Sequence, residues 1–207
     1  TARYALDEDN RLTITYEATT TKPTIVNVTN HTYWNLAGED SARPIEGQRL
    51  QILADAFLPT DETAIPTGEV RPVAGTAFDF RQPKPIGQDV RDGRDQQIVF
   101  GHGYDHNWAV SLTTAPAPRL VATVSDPVSG GKIELYSDQP GLQFYAGNFL
   151  DGTLTGKDGK VYQRRSAFAM EPQHYPDSPN HPDFPSTELK PGQTYHCTIE
   201  YKFSVSK

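Results

Sequence analysis

Apolar and polar side chains alternate with a period of two along most of this chain. The last run is the clearest: Tyr195, Cys197, Ile199, Tyr201, Phe203 and Val205 are separated by His196, Thr198, Glu200, Lys202 and Ser204. Successive side chains of an extended strand point to opposite faces, so the pattern predicts a strand with one apolar and one wet face. Leu12, Ile14 and Tyr16 repeat it in RLTITYEA, and PTIVNVTN, RLVATVSD, KIELYS, LQFYAG and VYQRRSAFAM are further candidate strands. Gly130-Gly131, Asp151-Gly152, Asp158-Gly159 and Pro191-Gly192 supply turn signals between them. The 17 prolines and 16 glycines are scattered so that few windows remain for a helix of ordinary length. The expected fold is therefore all-β, an antiparallel β sandwich with long loops. From Pro59 to Ile98 the alternation weakens, and that stretch reads as a linker or an inserted loop region. Phe57, Phe78 and Phe80 argue that it packs on the sheet.

Bulk properties narrow the function. The 207 residues suffice for one sizeable β domain, taken here as 1–207, and its 10 Tyr, 9 Phe and 2 Trp provide for a packed core. A net charge of −7 disfavours nucleic acid, whose binding depends on clustered Lys and Arg, and it disfavours anionic membrane surfaces as well. A neutral small molecule is the better partner. Cys197 is the only cysteine, so no intrachain disulfide forms, which points to the cytoplasm ahead of the periplasm. The histidines lack the spacing of a zinc site, G-x-S-x-G is absent, and no phosphate-binding or dinucleotide fingerprint occurs, so neither metal nor cofactor is expected.

Four clusters mix polar groups with aromatics or glycine at the ends of candidate strands: NHTYWN (30–35), GYDHNW (103–108), PGLQFYAGN (140–148) and AMEPQHYPD (169–177). In a sandwich such ends gather on one rim or line one concave face, so the four converge on a single cleft. Glu171 emerges from the apolar SAFAM, where burial raises a carboxyl toward the range useful for a base at neutral pH; the alternative is an ion pair with Arg164 or Arg165. His31 is either a solvated loop histidine or a proton carrier. Asp105 either makes a local Asx turn or, beside the face of Trp108, accepts hydrogen bonds from sugar hydroxyls. Gln143 alternates with Leu142 and Phe144, so it faces away from the core and offers both a donor and an acceptor.

Taken together, NHTYWNLAG, GYDHNW, PGLQFYAGNFLDG and EPQHYPDSPNHPDFPS, followed by LKPGQTYHCTIEYKFSV, resemble in order and spacing the galactose mutarotases, or aldose 1-epimerases, from about Leu12 onward. The resemblance implies a β supersandwich and cofactor-free interconversion of the α and β anomers of an aldohexose. It implies Glu171 as general base, His31 as general acid, and Asp105 and Gln143 as sugar contacts. It also implies an N-terminal portion with an Asn/Arg segment and an LHGG-like motif bearing a second active-site histidine. Neither motif occurs here, so the domain is expected to be incomplete at its N-terminus, with that segment as a partner. Alternatives are a non-catalytic sugar-binding module, a glycoside hydrolase working through Glu171 and Asp105, and a hexose-6-phosphate epimerase relative. The last needs basic residues near the cleft, and Arg164-Arg165 is expected to point apart along a strand.

Overall fold

A computed structural model describes residues 1–39 and 41–205. In chain order the strands are β1 (Ala2–Leu6), β2 (Arg11–Ala18), β3 (Thr24–Ile25), β4 (Arg49–Ile52), β5 (Ala56–Leu58), β6 (Arg71–Pro72), β7 (Lys84–Pro85), β8 (Asp105–Ala109), β9 (Arg119–Ser125), β10 (Gly131–Ser137), β11 (Gly141–Tyr145), β12 (Ala169–Gln173), β13 (Glu188–Leu189) and β14 (Tyr195–Val205). They form a seven-stranded sheet, β1-β2-β14-β10-β9-β4-β7, a five-stranded sheet, β12-β11-β8-β5-β6, and the small pair β13-β3. Every pairing between them is antiparallel. One α-helix, Gln96–Phe100, escaped the sequence reading; Asp95 caps it by accepting the N–H of Gln97. No helix among the described residues is long and apolar enough to cross a membrane.

The core lies between the two sheets. Ile14, Leu135, Cys197, Ile199 and Tyr201 enter it from the larger sheet, and Phe57, Trp108, Leu142, Phe144 and Met170 enter it from the smaller. The 59–98 segment belongs to this core and is no linker: Phe78 and Phe80 are fully buried, and Phe78 stacks on Phe57 with ring centroids 4.1 Å apart. Its backbone also serves the buried aromatics, since Trp108 donates Nε1–H to the Phe78 carbonyl and Tyr104 its hydroxyl to that of Ala77. Such pairing is what lets Trp and Tyr be fully buried.

Two predicted strands dissolve. VYQRRSAFAM is extended only from its apolar end, because Arg164 and Arg165 sit in a turn in which Arg165 has φ of 65°, outside the strand region. The two arginines therefore do not alternate along a strand. PTIVNVTN forms a ladder only at Thr24–Ile25; beyond that the Val26 N–H reaches the Thr187 carbonyl, Val28 is held by the Tyr195 hydroxyl, and the Asn27 and Thr29 side chains bond toward β12.

That change positions the site. β12 is an edge strand, where a sheet tolerates a proline such as Pro172 without losing a ladder bond. Its outer edge is covered by residues 27–34 running antiparallel to it. Asn27 donates Nδ2–H to the His174 carbonyl and accepts the His174 N–H, both at 3.0 Å. Thr29 donates its hydroxyl to the Pro172 carbonyl at 2.8 Å, and Trp34 exchanges two backbone bonds with Phe168 at 2.8 and 2.9 Å. Asn35 anchors the far end, donating to the carbonyls of Arg43 and Ser166 while accepting from Gln48. With both ends clasped, His31 lies opposite Glu171. Replacing Asn27 with Ala removes two hydrogen bonds and leaves the His174 amide and carbonyl to find water. We expect a loss of about 1–2 kcal/mol in urea unfolding, with faster hydrogen exchange at residues 27–33 than at β14.

Candidate functional site

The smaller sheet turns one face to the core and the other to a cleft of about 290 Å³. Register fixes which side chains share the cleft face. Gln143 on β11 is paired with Glu171 on β12 and with Asn107 on β8, and Asn107 in turn with Leu58 on β5. One row thus runs Leu58, Asn107, Gln143, Glu171, with His31 beyond the sheet edge. The neighbouring row carries Asp105 and Tyr145, and the row on the other side Ala109, Gly141 and Gln173.

All four site residues anticipated from sequence line this cleft. His31 Nε2 stands 3.4 Å from Glu171 Oε1; the histidine side chain is 47% exposed and the glutamate 11%. The pair therefore joins a solvent-facing group to a buried one. Gln143 donates Nε2–H to Asp105 Oδ1 at 2.8 Å, so Asp105 is a strand residue bonded across to β11 and makes no local turn. Glu171 pairs with His31 and not with Arg164 or Arg165: Arg164 donates to the Asn148 carbonyl, and Arg165 reaches the His102 carbonyl and Glu46.

Burial governs the electrostatics. It pushes the Glu171 carboxyl up to about 7, and repulsion from Asp105 adds to the rise while attraction to His31 opposes it. Asp105 is also raised by burial, against the hydrogen bond from Gln143 and the attraction of His31. Tyr33 is raised by burial and by the nearby Glu171 and Asp105. Two carboxyls and a phenol thus share a poorly solvated space beside one histidine.

The aromatic neighbours differ from the expectation. Trp108 is fully buried on the core face, because it is an odd number of residues from Asp105 along β8, and it offers no face to the cleft. His106 is also turned inward, edge-on to Phe78 at 4.7 Å; burial lowers its pKa to about 3, and its Nδ1 accepts the Asp105 N–H. The rings at the site are Tyr33, 5.0 Å from His31, and Tyr145, 5.9 Å from it. Tyr33, Tyr145, Asn107 and Gln173 were missed as site residues. The signal for Asn107, Tyr145 and Gln173 was present, since each lies two residues along the same strand from one already chosen.

The cleft's outer wall comes from Thr60, Ala64, Pro66 and Pro176. Gln97, in the short helix, grips Thr60 through a reciprocal buried pair, 2.7 Å to its N–H and 2.9 Å to its carbonyl. His181 Nε2 lies 3.2 Å from the Pro66 carbonyl and ties this wall to the chain that follows β12. Among the described residues no group of three His, Cys, Asp or Glu side chains is placed to hold a metal ion.

Comparison with known proteins agrees with this architecture. The family model described as aldose 1-epimerase matches residues 1–202. Galactose mutarotase from Rattus norvegicus is 46% identical over 203 residues, covering 98% of this chain and 56% of the relative, and aldose 1-epimerase from Escherichia coli K12 is 42% identical over 205, covering 98% and 58%. The chain therefore spans little more than half the length of these relatives. Among solved structures, an aldose epimerase homologue from C. elegans superposes with a TM-score of 0.86 at 31% identity, covering all of this chain and 59% of that one. A galactose 1-epimerase from Lactobacillus acidophilus NCFM gives 0.83 at 32%, covering 100% and 57%. With a family model spanning nearly every residue and relatives sharing more than two-fifths of its sequence, this chain belongs to the aldose 1-epimerase family.

Proposed function

We propose that the cleft interconverts the α and β anomers of an aldohexose such as galactose or glucose. The observation that carries this reading is the contact between a buried, proton-hungry Glu171 and a half-exposed His31 above a floor of hydroxyl-binding groups. Mutarotation needs the C1–O5 bond broken and remade. Glu171 takes the proton of the C1 hydroxyl while His31 gives one to the ring oxygen; the C1–O5 electron pair goes to O5 and the C1 oxygen becomes a carbonyl. Rotation about C1–C2 and closure on the other face reverse both transfers, so neither residue is consumed. The two oxygens share one carbon, and an acid and a base a few ångströms apart suit them.

Asp105 and Gln143 serve as hydroxyl contacts, bonded to each other so that both enter the cleft already oriented. Tyr33 and Tyr145 offer apolar ring faces to the sugar. A phosphorylated hexose fits less well, because no Lys or Arg lines the cleft among the described residues.

Polarimetry on freshly dissolved α-D-galactose and α-D-glucose tests the activity. The protein should speed the approach to equilibrium, and Glu171→Gln and His31→Asn should each lower the rate ~10²-fold or more. A protein that binds the sugars yet leaves relaxation at the buffer rate is a binding module instead. Because the base works ionised, kcat/KM should rise with pH through about 7 as Glu171 loses its proton.

Stability should run the other way. The folded-state value of about 7 lies above the ordinary 4.5, so the folded protein holds this proton more tightly than the unfolded chain. Stability from Glu171 is therefore lost as pH rises between those values and is absent above the upper one. Glu171→Gln should unfold at higher temperature than the parent at pH 8, by the equivalent of about 1–3 kcal/mol, and this gain should vanish below the ordinary glutamate range.

A further inference from the structure

The reading above leaves Asn107, on the cleft floor, without a task. Asn107 is almost fully buried, and neither its Oδ1 nor its Nδ2 has a hydrogen-bond partner. Its amide stands on the cleft face, leaning over β11. A Cβ built on Gly141 would lie 2.5 Å from Asn107 Oδ1 and 3.0 Å from Nδ2, so the absent side chain at 141 is the space this amide fills. An amide buried without partners is costly, and folded proteins retain few of them. No side chain beside it relieves that cost: Leu58, Pro66 and Pro176 offer apolar surface, and neither Gln143 nor Gln173 makes a hydrogen bond to it.

Position suggests what the amide is kept for. Asn107, Gln143 and Glu171 occupy adjacent strands in one row, and neighbouring strands lie about 4.8 Å apart, so Asn107 is roughly two strand spacings from the carboxylate that faces C1. A hexopyranose with its hydroxyls spans that gap. With C1 facing His31 and Glu171, the ring lies over Gln143 and the ring carbon farthest from C1, which is C4, comes nearest Asn107. Resting on the mutarotase reading, we propose that Asn107 is a substrate-binding, specificity-determining residue. Its Nδ2 donates to the C4 hydroxyl and its Oδ1 accepts from it. Of the groups on this row it is the one set at the carbon where galactose and glucose differ in configuration.

Deoxy sugars test this. Methyl galactosides cannot open, so their binding separates Asn107 from catalysis. The parent protein should bind methyl α-D-galactoside ~10-fold or more tighter than its 4-deoxy analogue, as expected for a hydrogen bond to a buried amide. The 3-deoxy and 6-deoxy analogues should lose less. Asn107→Ala and Asn107→Ser should bring the parent and 4-deoxy sugars within about threefold of each other, and in polarimetry should raise KM for galactose with a smaller change in kcat and an unaltered pH profile. A measurement on the unmutated protein guards against variants that fold poorly: the Asn107 side-chain ¹⁵N amide resonance should shift with the galactoside and stay still with the 4-deoxy analogue. Selectivity against the 4-deoxy sugar that persists in both variants, or an amide resonance that moves equally with both sugars, overturns the proposal. If methyl galactoside binds with these signatures but galactose is not mutarotated, Asn107 stands and the catalytic reading fails. If no galactoside binds at all, both fail.

Discussion

β12 carries Glu171 at the open edge of its sheet, and that edge has to be satisfied by something other than a regular strand. An exposed row of backbone N–H and C=O groups invites unwanted pairing, so proteins cover, charge or bend such edges. Here the covering is residues 27–34, clasped by Asn27 and Thr29 at one end and by the Trp34–Phe168 bridge at the other. The same bonds that seal the edge bring a histidine from a distant part of the sequence to within 3.4 Å of Glu171. Had 27–34 formed a full strand, its backbone would take up every edge group and its side chains would alternate above and below the sheet. Bonding through Asn and Thr side chains leaves the backbone free to turn His31 toward the cleft.

The site works against the stability of the fold that holds it. Two carboxyls are drawn into poorly solvated space with a single histidine to offset them, and both are raised as a result. A fold selected for stability alone would place Gln or an apolar side chain at 171. On the proposed reading the cost is kept because a carboxylate with an ordinary glutamate pKa is a weak base, whereas one near 7 is matched to proton transfer at neutral pH. Asp105 is treated differently, since its hydrogen bond from Gln143 favours the charged form. Environment alone thus separates two chemically similar groups into one suited to move a proton and one suited to hold hydroxyls.

Much of this was legible in the sequence, and the misses have a common cause. Period-two alternation located β2, β9, β10, β11 and β14 and turned Gln143 outward, because pleating imposes that pattern wherever one face is buried. Followed along each strand, the same alternation places Tyr145 beside Gln143, Asn107 beside Asp105 and Gln173 beside Glu171, and it sends Trp108 to the core. The burial of 59–98 was less readable, since its aromatics pack without a regular period. Arg164-Arg165 continued an apolar run on paper, but a left-handed residue within a turn leaves no trace in hydrophobic pattern. The pairing of His31 with Glu171 lay in no local signal, because it arises from an edge covered by chain some 140 residues away; for that, the family resemblance supplied what periodicity could not.

The outer face of the smaller sheet shows how a sandwich acquires a site instead of a wet surface. One end of that face is roofed by a second small core, where Leu58, Tyr175 and Phe184 pack together with Ala109 beside them. Tyr175 donates its hydroxyl to the Ser111 carbonyl and closes the roof on that side. At the other end the roof stops, and Asp105, Gln143 and Glu171 meet open space bounded by His31 and Tyr33. Apolar cover at one end dries the floor of the other, which raises the carboxyls without enclosing them completely. Asn107 lies at the boundary between these regimes, too deep to be satisfied by bulk water and too polar for the small core. A polar residue held there is costly unless its hydrogen bonds are completed, and on the proposed reading a sugar hydroxyl brought into the cleft completes them.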